Sequence, residues 1–264
     1  MDLQLDGKLA LISGSTAGIG YAIAAALARE GARVIVNGRT RSAVDAAVAK
    51  LAEIAAGAAP RGFAADLSTK EAACAIAREY PDVEILINNL GIFEAKPFEE
   101  IPDADWRRLF EVNVLSGVRL ARLYLAGMKR RNWGRIIFIS SESAIQIPVE
   151  MIHYGMTKTA QLAVARGLAE AVAGTGITVN SVLPGPTRSR GVVDFIDAVA
   201  KAQGISTAEV ERDFFQKVRP TSLIKRFATP DEVAALVAYV ASPLAAATTG
   251  AALRVDGGVI KSAI

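Results

Sequence analysis

Residues 8–13 (KLALIS) form an apolar run that stops at Gly14-Ser15-Thr16-Ala17-Gly18-Ile19-Gly20, and an alanine-rich stretch, 21–30, follows directly. A short apolar run, a glycine turn and a helical stretch closed by Gly31 read as the opening of a βα unit. The glycines fall where an anion can be held. Gly14 permits a tight turn, Gly18 lets backbone approach a pyrophosphate, and Gly20 lets the helix pack closely on the strand. The helix N-terminus adds favourable polarity for negative charge.

The alternation continues along the chain. Strands are expected at 33–37, 61–65, 83–88, 135–139, 177–183 and 251–255. Helices are expected at 42–56, from an N-cap at Ser68 through 79, without a break at 103–131, around Tyr154, and from Pro230 to 240. Strands alternating with helices of this length predict an α/β fold: one doubly wound domain over 1–264, with a mostly parallel sheet of about seven strands flanked by helices. Segment 186–227 is too long for a connection and carries two helical patterns, 192–202 and 207–218. It starts at a strand's carboxyl end, where ligands bind in such sheets, so it is expected to form a helical lid over the substrate.

Composition removes several functions. Net charge is +3, with both signs spread along the chain, which argues against a nucleic-acid partner. There is no run of about eighteen uninterrupted apolar residues, so no membrane partner or span is expected. Acidic residues near the N-terminus do not suit a signal peptide, and a soluble cytoplasmic protein is expected. The single cysteine, Cys74, excludes an internal disulfide and reads as a small core residue in a helix. No cluster of His, Cys, Asp and Glu has metal-ligand spacing, and metal-free chemistry is expected.

Tyr154 and Lys158, four apart on a helix, share a face. An ammonium beside a phenol favours the phenolate, so the tyrosine should titrate below its usual range and serve as a proton donor and acceptor. Ser141 follows the strand and precedes a loop, where its hydroxyl can hold a substrate oxygen. Ser140 and Ser143 compete for that role. His153, the only histidine, is adjacent to Tyr154 and reads as a pocket-rim or packing residue rather than a base.

Taken in order, these motifs resemble the short-chain dehydrogenases/reductases, of a 3-oxoacyl-reductase-like type, along nearly the whole chain. Gly14, Gly18 and Gly20 have that family's spacing. Asp66 resembles its aspartate beside the adenine, with Leu67 next to it, and Asn88-Asn89-Leu90-Gly91 its Asn-Asn-Ala-Gly turn. Asn113 corresponds to its helix asparagine, and Ser141, Tyr154 and Lys158 to its catalytic serine, tyrosine and lysine. Asn180-Ser181-Val182-Leu183-Pro184-Gly185 and Val255-Asp256-Gly257-Gly258 also fit. Leu90 departs from the family's alanine, either crowding the nicotinamide side or filling the core; the second is favoured. Thr187, two residues after Gly185, is the candidate for holding the carboxamide, in a register that departs from the family's spacer.

The resemblance implies a Rossmann-type fold and hydride transfer between a nicotinamide and a carbonyl or secondary alcohol. Tyr154 would pass the proton, Ser141 would polarise the oxygen, and Lys158 would hold the nicotinamide ribose. Asn113 would bind, through its backbone, a water linking Lys158 to solvent. Cofactor contacts are expected from Gly14, Ser15, Thr16, Gly18, Ile19, Gly20, Arg39, Asp66, Leu67, Asn89, Gly91, Tyr154, Lys158, Pro184, Gly185 and Thr187. Asn37-Gly38-Arg39-Thr40-Arg41 after the second strand lacks a carboxylate, so Arg39 points to NADP(H), with NAD(H) possible. Alternatives are an NAD-dependent sugar or polyol dehydrogenase and a non-catalytic cofactor-sensing protein. Ile92, Phe93, Ile145, Ile147, Pro148, Val149 and Met151 suggest an apolar pocket wall. Eight basic residues, Arg190 included, against five acidic ones in 186–227 make an anionic substrate conceivable, although a solvated face explains them as well. Pairing of helices 103–131 and 151–173 between subunits, giving a homodimer or homotetramer, is what the family leads one to expect.

Overall fold

Seven strands lie side by side in the order β3-β2-β1-β4-β5-β6-β7, every pair parallel. They are β1 (Leu9–Ile12), β2 (Arg33–Gly38), β3 (Arg61–Ala64), β4 (Ile85–Asn88), β5 (Gly134–Ile139), β6 (Ile177–Pro184) and β7 (Ala252–Val255). The computed structural model describes residues 1–263, apart from the side chains of Arg190, Asp194 and Phe195. Arg190, counted above among the basic residues, therefore has its side chain outside the described set. Parallel strands buried on both faces favour apolar side chains, and β4, β5 and β6 are buried at every position, with a few polar exceptions such as Arg135 and Asn180.

Helices cover both faces. On one side α1 (Gly18–Arg29), α2 (Arg41–Ala52) and α9 (Pro230–Ala241) pack over Ala10, Ile12, Val34, Val36, Ile85, Ile87 and Ile137. On the other, α3 (Lys70–Glu79), α5 (Ser116–Arg131) and α6 (Ile152–Ala171) cover Leu11, Ile35, Leu86, Ile136 and Phe138. Neighbouring strand residues thus feed opposite cores, as a period of two requires. The order reverses at β1, so the chain ends leaving β1 and β4 diverge and open a crevice at the carboxyl edge.

Four local expectations change. The helix after the glycine turn begins at Gly18, inside the turn, rather than at 21. Thr69, not Ser68, caps α3, its side chain accepting a hydrogen bond from the Ala72 N–H. Cys74 is only half-buried on that helix. Helix 103–131 is interrupted: α4 (Asp103–Phe110) passes through a π-turn at Glu111–Leu115 before α5 begins. A π-turn adds a residue and frees carbonyls from the ordinary ladder, and Asn113 sits at its centre.

Segment 186–227 folds as two helices, α7 (Arg190–Gln203) and α8 (Thr207–Asp213), the latter extended by a second π-turn, Phe214–Val218. Ile196, Ala200, Val210, Phe215 and Phe227 give it a small core of its own. Phe214, Phe215 and Phe227 meet with ring centroids 5.0 Å apart. A Thr187–Ala228 bridge closes the base of the segment.

Candidate active site

The turn after β1 is built by side chains that spend their polar groups on backbone. Gly14 and Gly18 have φ of +62° and +57°, values that other residues rarely adopt. A Cβ on Gly20 would lie 2.4 Å from the Gly14 carbonyl oxygen and 2.5 Å from Asn89 Nδ2, so only glycine fits. Ser15 is fully buried; its hydroxyl donates to the Ile12 carbonyl and accepts from the Asn37 N–H. It builds the turn from inside. Thr16 packs against Gly38 at the end of β2, and Ile19 lies against the first core. Asn37 accepts from the Gly14 N–H and donates to the carbonyls of Phe63 and Ala65. Asn89 donates to the carbonyls of Ser13 and Gly14, lashing the turn after β4 to the one after β1.

Around this turn stand the other expected cofactor contacts. Arg39 is exposed just beyond β2 and has no ion pair among the described residues. Asp66 is exposed beyond β3, and Leu67 is fully buried. Leu90 packs on the second core, close to where a Cβ of Gly14 would be, which agrees with its core-filling reading. Gly91 is exposed, and a Cβ there would sit 3.4 Å from Lys158 Nζ. Gly185 follows Pro184 and passes so close to the Asp256 carbonyl that a Cβ would meet it at 2.4 Å. Buried Thr187 donates its hydroxyl to the Gly185 carbonyl.

The second cluster lies at the ends of β5 and α6. Ser141 follows β5, and its Oγ accepts from the Ser143 N–H and donates to Glu142 Oε2 at 2.5 Å. Ser140 is committed elsewhere, its hydroxyl donating to the Lys158 carbonyl at 2.9 Å. The Tyr154 phenol lies close enough to Ser141 for the serine to influence its ionisation, and Phe93 meets its ring edge-on at 6.1 Å. Lys158 is buried; its Nζ donates to the Ile139 carbonyl at 2.9 Å and to Gln161 Oε1 at 3.4 Å. Asn113 clasps Ile92 through both side-chain groups and also donates to Thr157 Oγ1. Its backbone, where the family resemblance implies a water, has its carbonyl accepting from Gln161 Nε2 at 2.6 Å. Gln161 thus bridges Asn113 and Lys158 directly.

The electrostatics correct one expectation. Burial pushes the Tyr154 phenol above its ordinary value, the Glu142 carboxylate adds to that shift, and Ser141 and Arg219 pull against it. Lys158 nearby does not bring it below that value. Its ammonium lies 5.6 Å from the ring centroid, turned to the Ile139 carbonyl, and burial pushes it down to about 8. His153 is a packing residue: it is fully buried, 5.8 Å from the Trp106 ring, and burial lowers its titration. Of the expected pocket wall, Phe93, Ile145, Ile147 and Val149 are exposed, Ile92 and Met151 half-buried, and Pro148 buried.

Glu142, Gln161 and Arg219 were not singled out for this site from the sequence. Gln161 had a signal, since it lies three residues beyond Lys158 on one helix face. Arg219 and Glu142 are 77 positions apart, and only the fold joins them. Among the described residues there is no group of His, Cys, Asp and Glu that could hold a metal, and no helix is long and apolar enough to cross a membrane.

Known proteins resemble the chain over its length. A family model described as enoyl-(acyl carrier protein) reductase matches residues 14–260. The uncharacterised oxidoreductase YvaG of Bacillus subtilis is 47% identical over 262 residues, covering 99% of both chains. The D-beta-hydroxybutyrate dehydrogenase of Cupriavidus necator is 33% identical, covering 97% of this chain and 98% of that one. Among solved structures, L-sorbose reductase from Gluconobacter frateurii, complexed with NADPH and L-sorbose, superposes with a TM-score of 0.94 at 31% identity, over 99% of this chain and 100% of the other. With its all-parallel seven-stranded sheet, the chain belongs to the short-chain dehydrogenase/reductase family, oxidoreductases that act on CH–OH groups and the corresponding carbonyls.

Proposed function

We propose that the protein interconverts a ketone and a secondary alcohol with NADP(H), using Tyr154 as the proton donor and acceptor. The observation that carries this reading is the meeting of Tyr154, Ser141 and Lys158 at the carboxyl end of β5, beside the glycine turn. Ser141 orients the substrate oxygen by turning its one hydroxyl proton from Glu142 to that oxygen, and Tyr154 gives it a proton in reduction or takes one in oxidation. Lys158 keeps a positive charge below about pH 8 next to the phenol. Asn113 and Gln161 hold the lysine's surroundings in place.

The cradle suits a dinucleotide. Left-handed Gly14 and Gly18, with the N-terminus of α1, fit a pyrophosphate. Gly91, Gly185 and Thr187 border the nicotinamide end, and Asp66 with Leu67 the adenine. The nicotinamide supplies or accepts the hydride when bound. Arg39 supports NADP(H): it is exposed and without an ion pair among the described residues, while Asn37, the last polar side chain of β2, has its hydrogen bonds committed within the fold. Residues 37–41 contain no carboxylate to repel a 2′-phosphate.

For the substrate, exposed Phe93, Ile145, Ile147, Val149 and Leu223 support a molecule with an apolar body. Several basic side chains of 186–227 are engaged in ion pairs, Arg188 with Glu211, Lys217 with Asp213 and Arg226 with Glu232, which favours the solvated-face reading over an anionic tail. Segment 186–227 acts as the lid. Exposed Phe110 and Leu123 support pairing of α4 and α5 with a second copy, which light scattering would detect.

Ketone-dependent oxidation of NADPH by wild type and Tyr154→Phe is the test. Turnover should fall about 10³-fold in the variant while NADPH still binds. Wild-type activity in Tyr154→Phe would remove the tyrosine from the chemistry.

A further inference from the structure

Arg219 ends the second π-turn and enters the space beside the catalytic serine. It is buried, and its guanidinium spans two carboxylates: Nε donates to Glu142 Oε1 and Nη1 to Glu150 Oε1, each at 3.2 Å. Glu142 is also buried and uses its other oxygen to accept the Ser141 hydroxyl. A serine hydroxyl has one proton, so this carboxylate decides where that proton points. A buried carboxylate without a partner is costly, and here the partner comes from segment 186–227.

We propose that Glu142 and Arg219 are positioning residues, a buried ion pair through which the docked lid fixes Ser141 and sets the charge felt by Tyr154. The inference rests on the assignment of Tyr154 above. The groups facing the phenol are Ser141 and Glu142 from the loop after β5, Lys158 from its own helix, Arg219 from the lid, and the uncharged Phe93 edge. Glu150 stands behind Arg219, and His153 faces Trp106. With the lid docked, the anion and the cation largely offset each other at the phenol. With Arg219 withdrawn, the Glu142 charge remains alone beside Tyr154.

The two charges have opposite signs, so their removal has opposite effects. Glu142→Gln takes away a negative neighbour and eases ionisation of the phenol. The alkaline limb of the reduction profile, where the proton donor is lost, moves to lower pH by roughly one unit or more. Arg219→Gln leaves Glu142 uncompensated and moves that limb to higher pH; Arg219→Lys returns it towards wild type. Phenolate absorbance, wild type minus Tyr154→Phe in each background, should give the same order with no substrate present. NADPH titration of each variant checks that the fold is kept.

Shifts in one common direction, or none, would overturn the ion pair's role while leaving Tyr154 in place. If no carbonyl is reduced, the proposed function fails, and the phenolate titration still decides the inference.

Discussion

The turn between β1 and α1 and the cluster at the end of β5 sit on one sheet edge but use polar side chains in opposite ways. At the turn, Ser13, Ser15, Asn37 and Asn89 are neutral and bond to backbone, so the glycine loop is held by groups with nothing left to give. At the β5 end, buried charges enter the network and side chains also bond to one another: Ser141 to Glu142, Glu142 to Arg219, Lys158 to Gln161. The first arrangement is cheap to bury and rigid. The second costs stability and leaves charges whose positions can be changed.

The largest effect expected from that difference is at Lys158. Burial lowers its ammonium from 10.5 to about 8, a displacement worth about 3 kcal/mol. Lys158→Met should therefore unfold at higher temperature near pH 7 while losing turnover. The sign follows from proton binding: the unfolded chain binds more protons between about pH 8 and 10.5, so wild-type stability rises through that window. The variant's advantage is full below it and gone above it. Thermal melts at pH 7 and pH 10.5 check this, and equal differences at both would break the contrast.

At the turn the sign reverses. Gly20→Ala pushes a methyl into the Gly14 carbonyl and Asn89 and should cost about 2–3 kcal/mol, read by denaturant unfolding. Arg39→Ala should weaken NADPH about tenfold or more and leave NADH unchanged in a fluorescence titration, as loss of one charged hydrogen bond implies. Gln161→Leu should be the mildest. Without the amide oxygen the ammonium is less favoured, so the rise of stability with pH that Lys158 causes should begin below about pH 8, by less than a unit, in thermal melts across pH.

The two regions were also unequally legible in the sequence. Gly14, Gly18 and Gly20 announce a turn because local spacing and backbone conformation carry the information. Seven strands and their flanking helices follow from apolar periodicity. Tyr154 and Lys158 share a helix, so their proximity was readable. Their electrostatics were not: the spacing pointed to a lowered phenol, whereas burial and Glu142 raise it. Arg219 and Glu142, 77 positions apart, meet only once the chain between them has folded, and no short window of sequence contains that contact. The interruption of 103–131 escaped because a π-turn leaves the apolar pattern locally helical.

That interruption acts as a phase shifter. Successive residues of a helix are rotated by about 100°, so the residue inserted between Glu111 and Leu115 turns everything beyond it through that angle. Leu120, Tyr124 and Met128 face the sheet only because α5 is out of register with α4. Deleting one residue from the π-turn would leave a smoother helix whose inner face is turned away from the sheet, and would shift the Asn113 carbonyl away from Gln161 Nε2.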